Sequence, residues 1–186
     1  MEVIVYSDFN CPFCYVLNER IHAAGVADRV QWRGVQHAPQ LQIPMAPADA
    51  HLGAELQDEV RAIRQWAPEI TIAIPPGKPN TGPANVAVAA ALLANAPGAH
   101  DFKNSLYRAF WRQGADLSNS KVLHDLARVA GLPERWDAAN VAATVAGWQD
   151  GWMRSGFRGV PAMLRSDGQR LEGLVSQQVL HAFVQG

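Results

Sequence analysis

The stretch "YSDFNCPFCYVLNERI", residues 6–21, carries both cysteines of the chain, Cys11 and Cys14. Just ahead of it and running into it, Val3–Ser7 ("VIVYS") is rich in β-branched and aromatic residues and reads as a buried strand. Asp8–Asn10 has the chemistry of a turn. A helix can begin at Pro12, because a proline in the first helical turn gives up an N–H that the helix does not use. Val16, Leu17 and Ile21 give that helix an apolar face, and Gly25 ends it. The two thiols therefore lie at the seam between strand and helix. A thiol attacks a disulfide as the thiolate, and the unpaired N–H groups and partial positive charge of a helix N-terminus favour such an anion. Cys11, directly before Pro12, sits where that field is strongest; Cys14 is one helical turn further on, which brings its sulfur back toward Cys11. We expect Cys11 as the attacking thiolate and Cys14 as the resolving thiol.

The rest of the composition narrows the setting. A chain of 186 residues makes one domain, with or without an insertion, and is long enough to fold without structural disulfides or metal. A net charge of −1 offers no basic field to nucleic acid or to an anionic membrane surface. The longest apolar segment, Ala84–Ala96, is mostly alanine and too short to span a bilayer. Met1 and Glu2 lead directly into the first strand, which leaves no room for a secretory signal, so we expect a cytoplasmic protein. In a reducing compartment paired cysteines serve catalysis, redox sensing or metal binding more often than architecture. A disulfide closing so small a loop would also stabilise the fold little.

Along the chain, Val30–His37 ("VQWRGVQH") alternates and reads as a second strand, which makes the start β-α-β with parallel pairing. Leu52, Leu56, Val60, Ile63 and Trp66 recur at helical spacing and predict a helix over Ala48–Ala67. After the proline-rich connection "IPPGKPNTGP" (74–83), helical patterns follow at Ala84–Ala96, Ala99–Gln113 and Lys121–Ala130, the last closed by Gly131 and Pro133. Another begins near Asp137, with Val141, Val145, Trp148 and Trp152 on one face. "VPAMLRSDGQRLEGL" then offers two short strands around Asp167-Gly168, and Ser176 is a suitable N-cap for a last helix.

This order, joined to three motifs, resembles the DsbA family of thiol–disulfide oxidoreductases, and within it the signal-less cytoplasmic FrnE-like branch. The motifs are "SDFNCPFCY" at the front, "PNTGPANVAVAAAL" with "YRAFWRQGADLSNSKVLHDLARVAGL" in the middle, and "GVPAMLRSDGQRLEGLVSQQVL" at the back. The resemblance implies an α/β thioredoxin-like fold with a large helical insertion between a β-α-β half and a C-terminal α-β-β-α half. The expected divisions are 1–44, 45–135 and 136–186. Read locally, Pro161 would pass for an ordinary trans proline at a strand start. The resemblance implies instead a cis proline facing the cysteines, with Val160 offering its backbone to an extended substrate and Gly159 allowing close approach. It also implies a disulfide-bearing protein or small molecule as substrate, no tightly bound cofactor, and glutathione or another thiol as reductant.

Around the motif, Pro12 pre-sets the helical turn and Phe13 supplies neither charge nor a hydrogen-bond donor. Phe9 on the turn is expected to shape the entrance, and Tyr15 to pack inward. Pro12, Phe13, Phe9, Val160 and Pro161 are thus the candidate substrate-binding residues beside catalytic Cys11 and Cys14. Of the six histidines, only His37, at the end of the second strand, is placed to approach the groove. Asn80 and Thr81 match the family's pattern and are read as helix-capping residues. Half a zinc site is the competing reading of the cysteines, but the sequence holds no second CxxC or HxxxH, so only a symmetric dimer could complete it. An inert pair is the other. In function, the alternatives are a glutathione-dependent isomerase or transferase similar to 2-hydroxychromene-2-carboxylate isomerase or the kappa class, which typically carry serine at the position of Cys11, and a non-enzymatic scaffold. Nothing in the pattern separates a monomer from a homodimer.

Phe13 carries one prediction. The strongly oxidising periplasmic members of the resembled family have histidine at its position, so Cys11 here should gain less stabilisation as a thiolate. Redox titration against glutathione should give a potential more reducing than the about −120 mV of DsbA, and a value that high would defeat this reading.

Overall fold

The computed structural model describes residues 2–132 and 140–186. Four strands form one sheet in the order β2-β1-β3-β4. β1 (Val3–Ser7) runs at its centre, parallel to β2 (Val30–Gly34) with Val3 opposite Val30. On its other side β3 (Ala162–Arg165) is antiparallel, with Tyr6 opposite Ala162, and β4 (Arg170–Glu172) completes the hairpin. The side-chain alternation of β1 builds two layers. Val3 and Val5 pack with Leu17 and Ile21 of α1 (Pro12–Ala23) and with Leu180, Phe183 and Val184 of α7 (Gln177–Gln185). Ile4 and Tyr6 pack on the opposite face with Phe157 and with Trp152 of α6 (Val141–Ser155). This is the α/β fold with a helical insertion expected from the sequence.

Between β2 and α6 lie α2 (Ala50–Trp66), α3 (Gly82–Leu93), α4 (Ala99–Gln113) and α5 (Ser120–Val129). Of these, α2 and α4 pack on α1, while α3 lies against α4 and α6, and α5 against α3 and α4. Leu56, Val60 and Ile63 of α2, Val88 of α3, and Phe102, Leu106 and Phe110 of α4 join Phe9, Cys14 and Tyr15 in the largest cluster of the protein. α4 occupies the residues its periodicity predicts and stops at Gly114, whose φ of 69° suits only a residue without Cβ strain. The expected division at 135/136, Pro133 and the helix start near Asp137 lie outside the described residues.

Several element ends differ from expectation: α2 runs Ala50–Trp66 rather than Ala48–Ala67, α3 stops at Leu93 rather than Ala96, and α5 runs Ser120–Val129 rather than Lys121–Ala130. The second strand ends at Gly34 rather than His37: the Val35 N–H still reaches the Ser7 carbonyl, but the following donors are taken by side chains, Gln149 Oε1 accepting from the Gln36 N–H and Asp8 Oδ2 from the His37 N–H. α3 begins at Gly82, two residues early, where the Gly82 N–H donates to Asn80 Oδ1. Asn80 is the local cap expected from the sequence, whereas Asp8 and Gln149 lie too far along the chain for local propensity to contain them. The final hairpin turns at Gly168 (φ 88°), and Asp167 clamps Arg165 beside it. That guanidinium, with the Gln169 N–H, holds the Asp167 carboxyl down to about 2. Arg165 also donates to the Phe183 carbonyl, which ties the hairpin to α7. As expected, Ser176 caps that helix, accepting from the Val179 N–H at 3.3 Å.

Lys103 on α4 is 5% exposed, and burial pushes its ammonium down to about 8. A lysine depressed in the folded state costs stability wherever it must be charged, so the penalty is full below pH 8 and fades as pH rises toward 10.5. Lys103→Met should raise stability at pH 7 by roughly 3 kcal/mol or somewhat less. It should also abolish the excess gain that the wild type shows between pH 8 and 10; urea unfolding curves that stay parallel across this range would refute it.

Candidate active site

Asp8 organises the site from below. Its side chain is 1% exposed, and the carboxylate collects four bonds from three parts of the chain. Oδ1 accepts from the Asn10 N–H (3.1 Å) and from Thr81 Oγ1 (3.0 Å). Oδ2 accepts from the His37 N–H (2.9 Å) and lies 3.3 Å from His37 Nδ1. The Asp8 carbonyl accepts from the Cys11 N–H at 3.1 Å, so the turn between β1 and α1 closes in one defined shape. Asn10 extends the knot by donating Nδ2 to the Pro79 carbonyl.

That turn delivers Cys11 as the N-cap of α1, with extended backbone (φ −96°, ψ 117°). Its Sγ accepts from the Cys14 N–H at 3.4 Å, so one of the free donors in the first turn of the helix is aimed at the sulfur, an arrangement that favours negative charge there. Across the groove the same Sγ is 3.5 Å from the Val160 carbonyl, in the loop whose Val160–Pro161 peptide bond is cis. The Ile43–Pro44 bond is cis as well, and sequence reasoning did not mark it. The cis-proline loop is held from behind. Glu172 Oε1 accepts from the N–H groups of Arg158 and Gly159, and Trp152 Nε1 donates to the Gly159 carbonyl.

The two free thiols have unlike surroundings. Cys11 is half-buried and opens onto a cavity of about 300 Å³, while Cys14 is 1% exposed. Burial first, then the neighbouring Cys11 sulfur, push the Cys14 thiol well up. One sulfur is thus available to an incoming molecule and the other is kept protonated beneath it.

Of the other candidate residues, Pro12, Phe13 and Val160 line this cavity. The Phe13 ring lies 5.8 Å from that of Trp66, which is 65% exposed. Phe9 is different. Its side chain is 0% exposed, with its ring 4.5 Å from Tyr107 and 5.4 Å from Trp32, while its carbonyl accepts from Trp111 Nε1. The entrance role expected of Phe9 is therefore not one its side chain can take; the turn points it down into the apolar core. Tyr15 packs inward as expected, donating its hydroxyl to the Thr71 carbonyl.

His37 does line the cavity, with its ring edge-on to Trp152 at 5.0 Å. Asp8, Glu59, Lys78 and Arg158 line it too, and sequence reasoning did not single them out. Lys78 Nζ donates to Glu59 Oε1 at 3.1 Å, joining the proline-rich connection to α2 at the cavity wall. Asn80 caps the helix through the Gly82 N–H and also donates to the carbonyls of Pro39 and Leu41, whereas Thr81 occupies the N-cap position but its hydroxyl makes no capping bond and ties to Asp8 instead. Among the described residues no group of three or more His, Cys, Asp or Glu is placed to hold a metal ion. No helix there is long and apolar enough to cross a membrane.

The DSBA-like thioredoxin domain matches residues 2–185, and the chain belongs to that family. No curated protein sequence matches. Among solved structures, the chain is similar over its whole length to a cytosolic disulfide reductase, DsbM, from Pseudomonas aeruginosa crystallised with GSH (20% identity, TM-score 0.77, 98% of that chain). It is similar in the same way to a probable DsbA oxidoreductase from Streptomyces coelicolor (18%, 0.75, 88% of that chain). A 2-hydroxychromene-2-carboxylate isomerase also matches all of this chain (18%, 0.69, 95% of that chain). At these identities the likeness is one of fold.

The Asp8 knot yields a direct test. Asp8→Ala leaves the N–H groups of Asn10 and His37 and the buried Thr81 hydroxyl without their acceptor and should cost about 2–4 kcal/mol in urea unfolding. Thr81→Val, which removes one donor, should cost about 1 kcal/mol. An unfolding midpoint unmoved by Asp8→Ala would show that the knot does not hold the turn.

Proposed function

We propose that this chain is a thiol–disulfide oxidoreductase of the FrnE-like kind, using Cys11 and Cys14 on protein or small-molecule disulfides in a reducing cytosol. The observation that carries the reading is the pairing of a cavity-facing sulfur capping a helix with a buried thiol one turn on, opposite the Val160 carbonyl. Cys11 thiolate attacks one sulfur of the substrate disulfide, forming a mixed disulfide and expelling the other sulfur as a thiolate. Cys14, once deprotonated, attacks Cys11 Sγ; the Cys11–Cys14 bond forms, the second substrate thiolate leaves, and two electrons have passed to the substrate. Two equivalents of a thiol reductant restore the dithiol. Val160, directly ahead of β3 and with its carbonyl 3.5 Å from Cys11 Sγ, would offer its backbone to a short β-pairing with a bound peptide.

Glutathione fits the role of reductant. The cavity is sized for a small peptide, and Lys78, Arg158 and Glu59 on its wall have the charges that complement carboxylates and an ammonium. The Pseudomonas aeruginosa reductase of similar fold was crystallised with GSH. An isomerase of similar fold keeps the alternative chemistry in view, in which glutathione's own thiol is activated. The presence of both Cys11 and Cys14 favours exchange through the protein's own sulfurs.

Insulin reduction with glutathione or dithiothreitol separates these readings. Cys11→Ser should fall to the uncatalysed rate, and Cys14→Ser should accumulate mixed disulfides with substrate. Glutathione-dependent isomerase activity that survives in Cys11→Ser would favour the alternative. Absence of turnover in every form, wild type included, would leave only a scaffold.

A further inference from the structure

The two sides of the cavity beside Cys11 differ in their charges. On one, Glu59 interrupts the inward stripe of α2: Leu56 and Ile63, one turn away in either direction, are both fully buried. Glu59 Oε1 accepts from Lys78 Nζ at 3.1 Å, and the two side chains remain 29% and 19% exposed. This pair leaves bonding capacity unused. A lysine ammonium has three N–H donors, and Lys78 spends one on Glu59. Glu59 Oε2 has no donor among the described residues, and neither has Oδ1 of Asn10, which lines the same cavity and is 8% exposed. The pair is also placed relative to the sulfur. Lys78 precedes Pro79, whose carbonyl takes Asn10 Nδ2 at 2.8 Å, and Asn10 precedes Cys11. The other side, two residues before the Val160 carbonyl that lies 3.5 Å from Cys11 Sγ, carries the single cation Arg158. The acid there, Glu172, is occupied by main-chain N–H groups.

We propose that Glu59 and Lys78 form the subsite for the free α-amino-carboxylate head of a γ-glutamyl thiol, and that Arg158 takes the carboxylate at the thiol's other end. Such a head carries an ammonium and a carboxylate on one carbon, so it matches an acid and a base held 3.1 Å apart: ammonium on Glu59 with Asn10, carboxylate on Lys78. A lone cation such as Arg158 matches only a lone carboxylate. The inference rests on the oxidoreductase reading with glutathione as reductant. It adds the direction in which glutathione lies and a reason for preferring γ-glutamyl thiols to other small thiols. With the head seated, the reductant thiolate attacks Cys11 Sγ of the oxidised protein. The Cys11–Cys14 bond breaks, and its electron pair goes to Cys14, which burial keeps protonated and which takes up the proton the reductant lost. A second glutathione thiolate attacks the glutathione sulfur, releasing oxidised glutathione and the Cys11 thiolate. Glu59 and Lys78 bind the head and take no part in the sulfur chemistry.

Reduction of the oxidised protein by three thiols tests this, read as loss of the Cys11–Cys14 disulfide in acid-quenched samples. The thiols are glutathione, glutaryl-Cys-Gly, which lacks the head ammonium, and 4-aminobutyryl-Cys-Gly, which lacks the head carboxylate. Each second-order rate is divided by that thiol's rate with 5,5′-dithiobis(2-nitrobenzoate), which removes differences in intrinsic reactivity. The wild type should favour glutathione over either analogue by about 5- to 10-fold, the scale of one partly exposed charged contact. Glu59→Gln should lose the preference over glutaryl-Cys-Gly, and Lys78→Gln the preference over 4-aminobutyryl-Cys-Gly. Comparison of the three thiols on the wild type decides the matter even where a variant fails to fold. Equal normalised rates for all three overturn the proposal. So does a matched preference that survives in either variant, or one that is lost in Arg158→Gln instead. An oxidised protein that dithiothreitol cannot reduce would defeat the oxidoreductase reading itself, and the proposal with it.

Discussion

A buried carboxylate can be kept only where its lone pairs are filled, and Asp8 meets that demand with donors from widely separated parts of the chain. The result constrains far more than one residue. Asp8 fixes the turn that leads into α1, the place where β2 stops pairing, and the approach to α3. Because its carbonyl also takes the Cys11 N–H, the sulfur of Cys11 sits at the helix end in a position set by the scaffold. The opposite wall is held in a comparable way by a second carboxylate, Glu172, on the backbone before Pro161. Two acidic side chains, each binding main-chain N–H groups, thus fix the two sides of the cavity, Asp8 from below the cysteine turn and Glu172 from behind the cis-proline loop.

Between those sides the fold creates a difference out of two identical side chains. Cys11 and Cys14 share one helix turn, yet one caps it from outside and the other faces the core. The N–H that favours charge on the first sulfur belongs to the residue bearing the second. Burial then acts against charge on Cys14. For the function proposed above, such an arrangement would set an order of events: the outer thiol would meet a substrate first, and the inner one would respond once a mixed disulfide had formed.

How much of this could be read from residues alone depended on distance along the chain. The strand–turn–helix around Cys11 and Cys14, the span of α4 and the Ser176 cap were legible because their causes lie within a few residues: β-branched runs, 3.6-residue spacing, Pro12 at a first helical turn, Gly114 at an end. The early end of β2 was not legible, since the side chains that divert its donors come from Asp8 and from Gln149, far along in α6. Phe9 was misplaced because a three-residue turn has no periodicity to say which way a ring points, and Trp32, Tyr107 and Trp111 settle that from outside the motif. Glu59 and Lys78 have nothing in the local sequence that sets them apart from other charges, and only the fold brings them together at the cavity. Thr81 looked like a cap until its partner proved to be Asp8.

These distant partners have one source. Thr81, Lys78, Tyr107 and Trp111 all come from the inserted segment between β2 and α6, and each reaches the turn, the cavity or the core beneath the cysteines. Arg108 and Arg112 of α4 add a further tie, both pairing with Glu19 on the helix that begins at the motif. Apolar contact alone would hold the insertion against the sheet, since it is non-directional and tolerant of small shifts. Directional bonds to Asp8, Phe9 and Ser7 add what contact cannot, a fixed register between the helical block and the cysteine helix. The insertion therefore supplies the floor and one wall of the site, and the thioredoxin-like half supplies the sulfurs and the opposite lip.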